Sequence, residues 1–112
     1  MGISTHILDT TRGRPAAGVA VLLERGTGTG FERVGGGTTD SDGRVKPLLP
    51  SETALDPGIY RITFAVGDYF HGLGIDAFYP EVQIQFCVGS STEHYHVPLL
   101  LNPYGYSTYR GS

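Results

Sequence analysis

His6, His94, His96, Arg44 and the C-terminal tail Tyr109-Arg110-Gly111-Ser112 are the residues of this chain best equipped for chemistry. An imidazole titrates close to neutrality, so it can act as base, acid or metal ligand. A guanidinium presents a rigid fork of donors that suits planar, oxygen-rich groups. Termini are ordinarily where sequence is least constrained. Here the last nineteen residues, His94 to Ser112, carry two imidazoles, phenols and a guanidinium, which marks them as part of a site.

Each of these groups also has a structural reading. A lone histidine on a strand is often a satisfied framework residue, and His94-Xaa-His96 without a third ligand or a cysteine pair is a weak metal signal. No metal site is therefore expected. Arg44 stands directly after the turn Asp40-Ser41-Asp42-Gly43, where it either faces a cavity or pairs in solvent with Asp40 or Asp42. The two aspartates are better explained by turn duty than by acid/base work. Neither Ser107 nor Ser112 lies in a Gly-Xaa-Ser-Xaa-Gly elbow, which argues against a covalent serine mechanism. Gly26-Thr-Gly-Thr-Gly30 lacks the Lys-Ser/Thr of a phosphate loop and reads as a hairpin.

The elements that must position these groups are strands. Runs rich in Val, Ile, Thr, Tyr and Phe are separated by turn residues, which predicts strands over residues 5–10, 19–25, 31–38, 44–50, 59–66 and 81–88. A terminal pair joined at Asn102-Pro103 follows. Residues 67–75 break the period-2 pattern and predict a two-turn helix ended by Gly72 and Gly74. From residue 94 onward, alternation sends Tyr95, Val97, Leu99 and Leu101 to a core face, with His94, His96, Pro98 and Leu100 opposite. His6 and Leu8 share a face in the same way. Apolar Leu8, Pro98 and Leu100 beside histidines predict that this outer face is covered by another subunit.

At 112 residues the chain fits one domain, residues 1–112, with one core. Its 17 glycines and 7 prolines among β-formers indicate an all-β sandwich or barrel, of about eight strands with one short helix. A net charge of -3 leaves no basic patch for a phosphate backbone, so nucleic acid is not an expected partner. No apolar stretch approaches membrane-spanning length, and the first residues lack the regions of a signal peptide; a soluble, cytoplasmic protein with no membrane partner is expected. Cys87, the sole cysteine, sits in the alternating run Glu81 to Val88 and is expected to be a buried structural thiol.

With His6-Ile-Leu-Asp9, Arg44 after Ser-Asp-Gly, and His94-Tyr-His-Val-Pro-Leu-Leu-Leu101 leading to Tyr109-Arg-Gly-Ser112, the chain closely resembles the 5-hydroxyisourate hydrolases, the transthyretin-like enzymes of purine degradation. The hormone-carrier transthyretins share the run around Asn102-Pro-Tyr-Gly-Tyr-Ser-Thr108 but lack the Tyr-Arg-Gly-Ser ending and the His, Arg, His set. A departure is Phe31, where many members carry Trp. The resemblance implies a homotetramer, a dimer of dimers, whose sheets enclose a channel holding the sites. It implies hydrolysis of 5-hydroxyisourate to 2-oxo-4-hydroxy-4-carboxy-5-ureidoimidazoline without a cofactor. It assigns catalysis to His6, Arg44, His96 and Ser112, and substrate binding to His6, Arg44 and Tyr109. His96 is then the base, with His6 as positioning group or alternative base. A non-catalytic carrier of an apolar aromatic ligand and a purely structural sandwich are the rival readings.

Overall fold

The period-2 pattern of the first strand is carried directly into burial. In the computed structural model, which describes residues 2–112, β1 (Gly2–Asp9) buries Ile3, Thr5, Ile7 and Asp9 and turns Ser4, His6 and Leu8 to the other side. The remaining elements are β2 (Arg14–Pro15), β3 (Ala20–Gly26), β4 (Phe31–Thr38), β5 (Gly58–Phe64), α1 (Val66–Gly72), β6 (Val82–Val88), β7 (His94–Asn102) and β8 (Gly105–Thr108). They form two four-stranded sheets in the orders β2-β1-β7-β8 and β4-β3-β5-β6. Every pairing is antiparallel except β1 with β7, which run parallel with Ser4 level with His96 and His6 level with Pro98.

The core lies between the sheets. Ile7, Leu99 and Leu101 from one sheet meet Leu23, Tyr60, Ile62 and Phe64 from the other, all essentially without solvent contact. Truncating one of these leucines to alanine would cost about 2–5 kcal/mol, the lost transfer energy plus the cavity left behind. Helix α1 closes one end and is tied to β1 by a buried polar contact. The Tyr69 hydroxyl donates to Asp9 Oδ2 at 2.7 Å, while Asp9 Oδ1 accepts from the backbone of Thr11 and Arg12. Burial pushes the Tyr69 phenol up from its ordinary value, and its hydrogen bond to Asp9 adds to the shift.

The all-β sandwich with one short helix agrees with the sequence reading, and so do most of its strands. The expected strand over residues 44–50 does not form. Pro47 and Pro50 cannot donate to a ladder. That segment instead folds as turns that bury Val45, Leu48 and Leu49, and the Leu48 carbonyl accepts from Gly36 N–H at 2.9 Å. The eighth strand is β2, at residues read as a turn; it sits at a sheet edge, where a proline is tolerated. Cys87 is exposed and not buried, because Val82, Ile84, Phe86 and Val88 take the inward positions of β6 and leave Cys87 on the outer face. Pro98 is already buried within the single chain, while Leu8 and Leu100 on the same face are half-buried.

Candidate active site

The site grows from the seam between β1 and β7. Since the two strands are parallel and in register, their outward residues form two adjoining rows, Ser4 and His6 beside His94, His96 and Pro98. Beyond β7 the chain turns through Pro103-Tyr104 and returns as β8, with Leu100 opposite Ser107 and Leu99 opposite Thr108. The tail keeps that register to its end. His96 and Gly111 form a bridge, with Gly111 N–H donating to the His96 carbonyl at 2.9 Å. The Thr108 hydroxyl holds the intervening stretch by donating to the Pro98 carbonyl at 2.7 Å.

The tail is thus anchored along the histidine strand. Tyr109 follows β8, is 59% exposed and lines a groove together with His96 and Arg110. Arg110 folds back with its guanidinium 4.7 Å over the Tyr95 ring and 3.1 Å from Glu93. Gly111 packs so closely on His96 that a Cβ there would lie 2.5 Å from the ring carbon Cδ2. Ser112 follows it, exposed at the chain end.

Arg44 reaches this seam through its turn. Asp40 Oδ1 accepts from the backbone N–H of Asp42 and of Arg44, at 2.9 and 3.1 Å, and Gly43 N–H donates to the Asp40 carbonyl. These backbone donors, Arg44 N–H foremost, hold the Asp40 carboxyl below its ordinary value. The turn is latched to β1, since Ile7 N–H donates to the Gly43 carbonyl at 2.9 Å. Gly43 takes φ +75° and lies where a Cβ would come within 2.5 Å of the Ile7 carbonyl, so both its conformation and the close approach require glycine. The Arg44 side chain, half-buried, forms no ion pair among the described residues, which removes the solvated-pair reading with Asp40 or Asp42.

His96 is held below the ordinary imidazole value of 6.5, first by burial, then by positive charge on Arg44, His6 and His94. At neutral pH the ring is therefore neutral, with a nitrogen available to take a proton. The fold thus brings His6, Arg44, His96 and the tail to one outer face, as the sequence reading expected. It adds one residue that reading missed. Ser4 Oγ lies 2.8 Å from His96 Nδ1 and 2.8 Å from His94 Nε2. The signal was present, because Ser4 alternates with His6, but β1 was expected to begin at Thr5, one residue too late to include it. Among the described residues no group of three His, Cys, Asp or Glu side chains is placed to hold a metal. None of their helices is long and apolar enough to cross a membrane.

Two four-stranded sheets with one parallel pair and a basic cluster on the outer face of the β1–β7 sheet define a transthyretin-type sandwich whose polar site sets it beside enzymes. The chain belongs to the HIUase/transthyretin family, whose model matches residues 3–111. It is 51% identical over 110 residues to a 5-hydroxyisourate hydrolase of Salmonella dublin, covering 98% of this chain and 80% of that one. The structure of Klebsiella pneumoniae 5-hydroxyisourate hydrolase superposes with a TM-score of 0.86 at 38% identity, covering 100% of both chains. Sea bream transthyretin in complex with thyroxine superposes at a TM-score of 0.92 with 28% identity, covering 99% of this chain and 95% of that one.

Proposed function

We propose that the protein hydrolyses 5-hydroxyisourate, opening its six-membered ring to 2-oxo-4-hydroxy-4-carboxy-5-ureidoimidazoline. The observation that carries this reading is the convergence of a neutral, half-buried His96 with His6 and Arg44 on one face. Opening the ring requires water to add to a carbonyl next to nitrogen. His96 takes the proton from that water through Nε2, the nitrogen not engaged by Ser4, and a base placed in this way contributes typically ~100 to 10,000-fold. The new C–O bond places negative charge on the carbonyl oxygen. Arg44 stabilises that charge and fixes the planar ring through its fork of donors. When the tetrahedral intermediate collapses, the C–N bond breaks and the proton held by His96 passes to the leaving nitrogen. His6 positions the water or the substrate edge, with Tyr109 and Ser112 bounding the far side. No step calls for a cofactor.

The active form in this reading is a homotetramer, a dimer of dimers. The unpaired edges β6 and β8 end their sheets on the same side and flank a common groove of about 300 Å³ lined by Ile84, Phe86, Val97 and Thr108. Exposed Phe78 (70%) and Tyr104 (69%) add apolar surface of the kind that subunit contacts cover.

A carrier function, suggested by the likeness to a thyroxine-bound transthyretin, sits poorly with Arg44 and two histidines in the space an apolar ligand would fill. Replacing His96 separates the two. In His96→Asn, hydrolysis should fall by about 100-fold or more while the melting temperature hardly moves. A variant that hydrolyses at the original rate would remove His96 from the chemistry.

A further inference from the structure

The hydroxyl of Ser4 stands between two imidazoles on the neighbouring strand, at 2.8 Å from each. A serine hydroxyl carries one proton and two acceptor lone pairs, whereas a neutral imidazole has one N–H and one bare nitrogen. The three groups are therefore coupled. If Ser4 gives its proton to His96 Nδ1, the His96 proton must sit on Nε2, and the nitrogen facing the substrate has no lone pair. If Ser4 accepts from His96 Nδ1–H, Nε2 is bare and the ring is ready to act as a base. His94 decides between these, because in its neutral Nδ1–H tautomer its Nε2 offers an acceptor for the Ser4 proton.

We propose that Ser4 is a positioning residue for His96: its hydroxyl accepts from Nδ1–H, donates onward to His94 Nε2, and so holds His96 in the tautomer whose lone pair faces the substrate. The inference rests on His96 being the base. It assigns a purpose to both contacts, and to His94, which is exposed and has no part in the ring-opening steps. Parallel register makes the arrangement rigid, since Ser4 is level with His96 while His94 is level with Gly2, two positions back along the same outward row. The charged and titratable groups that act on the His96 ring are Arg44 from the 40–44 turn, His6 from β1 and His94 on its own strand, while Arg110 of the adjoining tail pairs with Glu93 at 3.1 Å. Of these, His94 is joined to His96 through the Ser4 hydroxyl. The same hydroxyl also favours the protonated ring, because the cation still donates to it from Nδ1.

The test uses the intact chain and two variants, Ser4→Ala and Ser4→Thr. Nitrogen-15 spectra of the histidine rings report the tautomer directly. In the unaltered protein, His96 should be protonated at Nδ1 above its pKa; in Ser4→Ala it should become a mixture. Hydrolysis by Ser4→Ala should show kcat lower by about tenfold with KM changed less than about twofold, as expected for loss of one orienting hydrogen bond. The acid limb of its pH profile should move to lower pH. Ser4→Thr, which keeps a hydroxyl, should recover most of the lost kcat. The proposal is overturned if Ser4→Ala leaves the His96 tautomer unchanged, or if its kcat and pH profile match the original while His96→Asn is slow. Should His96→Asn prove fully active, the base assignment fails instead, and the ring spectra alone decide the role of Ser4.

Discussion

His96 must be neutral to accept a proton, and its environment ensures this. Burial and the charge of Arg44, His6 and His94 depress its pKa below 6.5, so the neutral ring predominates at neutral pH. The sign for activity follows: kcat/KM should hold through neutrality and fall only as pH drops through the depressed value, with an acid limb below pH 6.5 in a rate profile. Arg44 admits a sharper test. Arg44→Lys keeps the charge but loses the planar fork, so turnover should fall by about tenfold or more while thermal melting moves little. Unchanged turnover would return Arg44 to a solvent-facing role. Gly111→Ala probes the contact between tail and ring. Its Cβ would intrude to 2.5 Å of His96 Cδ2, so the ring must turn away, and kcat should fall while the tail keeps its bridge to β7. His6, Arg44 and His96 were legible in the sequence because their side chains are chemically distinctive and sit at strand positions. Ser4 was not, since a serine announces no chemistry until its neighbours across the sheet are known.

At the scale of elements, two attachments place the site, and both can be broken. The first is the latch of the 40–44 turn on β1. Gly43→Ala would force a side chain into a left-handed conformation against the Ile7 carbonyl, at a cost of about 1–3 kcal/mol. Calorimetry should show a melting temperature lower by several degrees, and Arg44 should drift from His96 with loss of turnover. The second is the tail. A frayed terminus would be dispensable. A tail in continuous register with β7 should not be, so deleting Arg110 to Ser112 should leave a folded protein with badly impaired hydrolysis. Combined with His96→Asn, the losses should be less than multiplicative, because groups acting as one unit are not additive. The β7–β8 hairpin and its faces could be read from alternation alone. The 44–50 segment could not, since its Val45, Leu48 and Leu49 suit either a strand or a buried turn, and only Pro47 and Pro50 spoke for the turn.

For the whole molecule, the sandwich itself followed from short β-rich runs separated by turn residues, but its assembly was legible only indirectly. Leu8 and Leu100 are half-buried on the outer face, whereas Pro98 is already covered within one chain. The surfaces open to partners are instead the β6 and β8 edges and the exposed Phe78 and Tyr104. Light scattering should find about four chains per particle. A stable monomer with full activity would show that one chain suffices for the site. The most direct test of function is to generate 5-hydroxyisourate in place with urate oxidase and follow its ultraviolet absorbance as it decays. With this protein present, the decay should accelerate in proportion to protein concentration; a decay indistinguishable from the spontaneous rate would contradict the assignment.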